Sequence, residues 1–181
     1  MNLPVPAAAT ALDVEPARGD QYLAFRARGL DLALPIAGVR EIIEYGPLTE
    51  VPCMPPAVRG VINLRGNVVS VLDLGARLQG QRSEIQRRSC IVVMELPLAG
   101  ETRPMGLLVD AVDAVFDLEA DAIEPPPRFG ARIDSGCIAG MARRGSGFTA
   151  ILKPDQLLSA DLLGATTAGA DSAPLALAHE G

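Results

Sequence analysis

The chain has 181 residues, of which 49% are hydrophobic but only 3% aromatic, with no Trp, so any core must be aliphatic. A formal net charge of −6 argues against a general nucleic-acid binder, which would show a basic face. No apolar run is long enough to span a bilayer, whereas the length suffices for one domain or two small barrels with a real core.

Residues 1–18 are rich in Ala and Pro, lack a basic n-region and contain Asp13 and Glu15. They read as a flexible leader and not as a signal peptide. Short strand-like runs follow at 22–27, 30–36, 61–64, 68–72, 90–96, 105–109, 138–142 and 148–152, many of them separated by Gly, Pro or Asp. Short strands at this spacing indicate an all-β sandwich or barrel and not βαβ units. Residues 39–43 stay open, because Val39, Ile42 and Ile43 fit a helical turn and a strand equally well.

GVINLRGNVVSVLDL (residues 60–74) reads as two strands joined by a tight turn at Arg65 and Gly66. Gly66 can take the positive φ that a short hairpin requires, but Arg65 stands where Asn, Asp or Gly would suit the turn better. Residues 73–78 suggest one helical turn. Residues 155–163 suggest a short helix, with Pro154 near its start and Leu157, Leu158, Leu162 and Leu163 at helical spacing. Residues 164–181 read as a flexible tail.

An internal repeat runs through the middle. ALPIAGVREII (33–43) aligns with GLLVDAVDAVF (106–116), putting Leu34 on Leu107, Ile36 on Val109, Val39 on Val112 and Ile42 on Val115. GVINLRGNVVSVLDL aligns with GMARRGSGFTAILKP (140–154), putting Gly60 on Gly140, Val71 on Ile151 and Leu72 on Leu152. The order is the same in both halves, which suggests two copies of one β unit on a shared core; chance likeness between aliphatic strands is the alternative.

The inventory excludes most chemistry. The single histidine, His179, lies in the tail, so a Ser-His-Asp or Cys-His site is not expected. There is no phosphate-loop, dinucleotide, HExxH or EF-hand pattern. Cys53, Cys90 and Cys137 are odd in number and form no CxxC pair, which fits reduced thiols in a cytosolic protein. Asp110, Asp113, Asp117, Glu119, Asp121 and Glu124 form an acidic run that a metal-dependent hydrolase could use; a solvated edge that discourages strand pairing is the simpler reading. Arg82, Arg87 and Arg88 mark an exposed loop joining the two halves, or a phosphate patch. A pocket-type ligand domain is disfavoured by the scarcity of aromatics. Arg65 stands out because a guanidinium on a rigid hairpin makes a good interface anchor.

VREII, then VPCMPPAVRGVINLRGNVVSVLDLGARL, then MGLLVDAVDAV, IEPPPRFGA, CIAGMARRGSGFTAIL and the closing leucine-rich segment resemble the CheW-like family. The likeness runs from Gln21 to Leu163, giving a domain at 19–163, and RGVINLRG is its most specific element. It implies two small five-stranded SH3-like barrels sharing a hydrophobic core, with a short C-terminal helix, no catalytic activity and no cofactor. It implies a cytoplasmic adaptor between chemoreceptor hairpin tips and the regulatory domain of a CheA-type histidine kinase, with possible ring assembly with that kinase or other CheW-like domains. The site residues it implies are Arg65, Gly60 and Gly66 of the NLRG turn, Glu41 and Val39 of the VxEI motif, and Val109 and Val112 near a receptor groove. The chain departs from the family pattern at Ser70, often Pro, and at Gly75, often a long residue. The pathway stays open among chemotaxis, type IV pilus motility and surface sensing.

Overall fold

The computed structural model describes residues 20–98, 100–126 and 135–158. The expected leader, the tail and the end of the predicted helix at 159–163 lie outside these residues. The elements run β1 (Asp20–Ala27), β2 (Leu30–Pro35), β3 (Val39–Glu44), β4 (Val58–Leu64), β5 (Asn67–Asp73), α1 (Leu74–Gln79), β6 (Cys90–Leu98), β7 (Glu101–Val109), β8 (Ala111–Leu118), β9 (Ile123–Glu124), β10 (Ile138–Arg144), β11 (Gly147–Leu152) and α2 (Pro154–Leu157). The all-β expectation holds, and the ambiguous residues 39–43 form a strand.

One sheet has the order β3-β6-β7-β5-β4 and the other β8-β1-β2-β11-β10-β9. Each curls so that its edges meet. Beyond β3 the chain returns at Thr49, which exchanges backbone hydrogen bonds with Val61 of β4 at 2.9 and 2.8 Å. Beyond β8 it passes a 3-10 turn, Ala120–Ala122, and β9 pairs with β10. Closure of this kind removes the free edges that invite aggregation.

The internal repeat is realised position by position. Gly60 opposes Val71 and Gly140 opposes Ile151, and each glycine follows a one-residue bulge, at Arg59 and at Ala139. β3 bulges at Arg40 and β8 at Asp113, which the repeat also aligns. The parallel pairs β5–β7 and β2–β11 correspond as well. A Cβ at Gly60 would lie 2.4 Å from the Thr49 carbonyl oxygen, and one at Gly140 would lie 2.5 Å from that of Glu124. Both barrels therefore close where a missing side chain lets the returning backbone approach.

Three apolar clusters follow from strand alternation. Val71, Ile91, Val93 and Leu108 fill the first barrel. Tyr22, Ala33, Leu118, Ala142 and Ile151 fill the second. Their alternates, including Phe25, Leu32, Leu34, Leu72, Val92, Met94, Leu107 and Leu152, form a shared core between the barrels. Two buried faces explain why Ile91–Met94 is a continuous apolar run.

Candidate interaction surface

The β4–β5 hairpin closes between Leu64 and Asn67 with a two-residue turn. Arg65 has φ +53° and Gly66 φ +88°, the pattern of a type I′ turn. The Asn63 side-chain oxygen accepts a hydrogen bond from the Gly66 N–H at 2.8 Å and tightens it. A left-handed conformation is strained for arginine, so the fold tolerates an unfavourable residue at this tip.

The curl of the first sheet carries that tip to β3. Arg65 Nη1 and Nη2 donate to Glu41 Oε1 and Oε2 at 2.7 and 3.0 Å, a bidentate clasp between otherwise distant strands. The Arg65 hydrogen bond holds the Glu41 carboxyl below its ordinary range. The guanidinium side chain remains 71% exposed, so the clasp orients it without hiding it. Ile42 and Val68, on the strands that carry the clasp, are also exposed, and Arg40, beside Glu41 in β3, pairs with Glu95 of β6.

The remaining expected residues divide. Gly66 belongs to the clasp, since its φ makes the turn. Gly60 is buried in the barrel seam and offers no contact surface. Val39 is half-buried and packs against the shared core. Val109, expected near a groove, is 0% exposed and sits wholly in the core, opposite Cys90 in the β6–β7 register. Val112 is half-buried, packs on the same core and also lines a cleft.

That cleft, of about 500 Å³, lies between the barrels. Glu44 at the end of β3, the adjoining Tyr45 and Cys90 at the start of β6 come from the first barrel, and Val112 of β8 from the second. Ile85, Gln86, Arg87, Arg88 and Ser89 complete it. Burial pushes the Cys90 thiol above its ordinary pKa, so it sits there as a protonated, apolar group. The 82–88 loop joins α1 to β6, both belonging to the first barrel. It links the halves of the sequence but not the two barrels, because the β6–β7 hairpin pairs within the first sheet.

The sequence reading missed the polar network that anchors this loop. Asp73 is fully buried, caps α1 by accepting from Ala76 N–H at 3.1 Å, and accepts from Ser83 N–H and Oγ at 2.8 Å each. Arg59 donates to Asp73 at 2.9 Å and to the Ser83 carbonyl at 2.9 Å. An aspartate as the first residue of the predicted helical turn was the available signal for the cap, and the helix itself starts one residue later, at Leu74; Ser83, ten residues on, had none. Gly75 makes room beside them, since a Cβ there would lie 2.5 Å from Arg28 Cδ. Arg28 in turn bonds Gln79, Gln81 and the Arg82 carbonyl.

The acidic run does not converge. Asp110 accepts from the Arg28 N–H at 2.8 Å, and its pKa is raised by burial, against the opposing effect of backbone N–H groups. Asp113 lies 4.0 Å from both Arg26 and Arg144. Among the described residues no group of three or more His, Cys, Asp or Glu is placed to hold a metal ion.

The family model described as CheW-like domain matches residues 21–162. Over 109 residues the chain is 38% identical to the chemotaxis protein CheW of Rhizobium meliloti (strain 1021), covering 60% of this chain and 68% of that protein. Over 143 residues it is 27% identical to the chemotaxis protein CheW of Klebsiella aerogenes, covering 79% and 84%. The scaffolding protein TtCheW from Thermoanaerobacter tengcongensis superposes with a TM-score of 0.70 at 29% identity, covering 81% of this chain and 91% of that one.

Proposed function

The chain belongs to the CheW-like domain family, and we propose that it acts as a scaffold that couples a CheA-type histidine kinase to chemoreceptors without doing chemistry of its own. The observation that carries this reading is the Glu41–Arg65 clasp. It presents a guanidinium in one orientation at the edge of the first barrel, on a residue the turn alone would not select. Fixed charge of this kind sets register and rejects wrong partners more than it adds affinity.

The cleft between the barrels is the complementary half of the proposal. A receptor tip is helical, and the apolar wall of Tyr45, Ile85 and Val112 suits the stripe of such a helix. Val109 supports that wall from within the core and does not touch the partner. Receptor, kinase and a ring neighbour held together would give avidity beyond any single contact. The adaptor would then work in the cytoplasm, held at the membrane by its receptors; no described helix is long and apolar enough to cross it.

Co-sedimentation with receptor-containing membranes, with and without kinase, tests the proposal. The unaltered protein should recruit kinase, and Arg65→Glu should weaken one binary interaction while the fold is retained. Supplying receptors from chemotaxis, pilus and surface-sensing systems in turn identifies the pathway. Failure to recruit kinase with every receptor set would overturn the coupling role.

A further inference from the structure

Arg87 and Arg88 are the central residues of a rigid turn. The Gln86 carbonyl accepts from Ser89 N–H at 3.0 Å, and Ser89 Oγ accepts from Gln86 N–H at 2.7 Å. Ser89 is 5% exposed, and its carbonyl accepts from Tyr45 N–H, which ties the turn to the end of β3. The other end of the loop is pinned by Ser83 on buried Asp73. The two arginines are therefore exposed groups on a backbone fixed at both ends.

Neither guanidinium has a hydrogen-bond or ion-pair partner among the described residues. Both line the cleft beside the apolar Ile85 and Val112, and Glu44 is the single carboxylate among the lining residues. On a chain of net charge −6 this rim is a local reversal of sign. Two cations without a partner among the described residues, carried on a held backbone beside an apolar slot, complement a segment whose apolar stripe is flanked by carboxylates.

We propose that the Arg87–Arg88 turn makes the cleft selective for a helical receptor segment bearing acidic residues beside its apolar stripe. This rests on reading the cleft as the receptor groove. The charges lie at a rim, within a Debye length of a docked helix, so they act on association and carry a salt dependence.

The test uses the full chain and cytoplasmic tip fragments of the source bacterium's receptors, with the carboxylates beside the tip's apolar stripe kept or exchanged for Gln. At about 0.05 M salt the unaltered protein should bind the acidic fragment about three- to tenfold more tightly, and the difference should vanish near about 0.5 M. Arg87→Gln with Arg88→Gln should abolish the discrimination without unfolding the exposed turn. Ile85→Ser and Tyr45→Ala report on the cleft itself. If they weaken binding while the double Gln variant keeps wild-type affinity and salt dependence, the charge selectivity is overturned and the groove stands. If neither cleft variant affects binding, the groove reading falls and the selectivity with it.

Discussion

The two barrels share one construction and differ in what hangs on it. Both bulge before a closing glycine, both pass from the second strand of the closing hairpin into a helix, and both expose the same pair of apolar positions, Ile42 with Val68 and Val115 with Phe148. Only the first has a clasp: the repeat puts Ala114 where β3 has Glu41, and Gly145 where the hairpin has Arg65. The way each helix starts differs too. Asp73 caps α1, whereas Lys153 stands at the matching place before α2 with no side-chain cap. There Pro154 at the first helical position presets the turn, and Arg77 of α1 bonds the Gln156 and Leu157 carbonyls. The shared positions build the barrels. The unshared ones, Asp73 with its loop and Glu41 with Arg65, are where the halves have taken different tasks.

The two helix N-termini give the largest expected contrast. Asp73→Ala removes a cap and strands the mostly buried Arg59 without its carboxylate, which should cost about 3–5 kcal/mol. Lys153→Ala, at the equivalent exposed position, should stay within about 0.5 kcal/mol. Urea unfolding of both variants reads the difference directly. Equal losses would mean that the strand-to-helix junctions of the two barrels carry the same load, and the contrast between them would fall.

The closing glycines should behave alike, because they belong to the shared construction. Alanine at either position forces a Cβ against backbone of the returning chain, costing about 1–3 kcal/mol. Gly60, with φ +153°, should suffer more than Gly140 by about 1 kcal/mol, since its backbone also disfavours a side chain. Equilibrium unfolding of Gly60→Ala beside Gly140→Ala ranks them. A neutral Gly140→Ala would break the equivalence of the two seams.

The barrels were legible in the sequence to the extent that their residues repeat. Gly60 on Gly140 and Val71 on Ile151 pointed to two copies of one β unit, whereas the place of both glycines at the seams emerges only from the closed barrels. β8 escaped notice as a strand because its polar outer face and the bulge at Asp113 mask the alternation that Phe116 and Leu118 preserve. β3 was ambiguous because six residues cannot distinguish a strand from a helical turn, and pairing with β6 decides it. The exposed arginine at 65 could be flagged from its unsuitability in a turn, but its bond to Glu41 depends on the curl of the sheet. The Asp73–Ser83–Arg59 network and the fixed Arg87–Arg88 turn depend on tertiary contacts that no local pattern encodes. The burial of Val109 depends on tertiary contacts in the same way, because packing against the other barrel covers its face of β7.

The smallest expected effect on stability is at the clasp, and it separates scaffold from surface most sharply. Arg65→Asn replaces a strained residue with one suited to a type I′ turn, so the melting temperature should hold or rise. The Glu41 carboxyl should return toward its ordinary value of 4.5, because its largest perturbation is the Arg65 hydrogen bond. The sign follows from linkage: a depressed carboxylate pKa stabilises the fold above 4.5 and loses that contribution as pH falls through the folded value. Any stabilisation by the clasp must therefore be present at neutral pH and fade in acid, in the unaltered protein and not in the variant. NMR titration of Glu41 with melting curves across that range measures both. If Arg65→Asn melts well below the unaltered protein at neutral pH, Arg65 helps hold the barrel together and its retention needs no partner. If it melts at or above it and still loses kinase or receptor binding, the strain at the tip is maintained for the interface, and the second barrel, with Gly145 at that place, shows what the turn looks like without it.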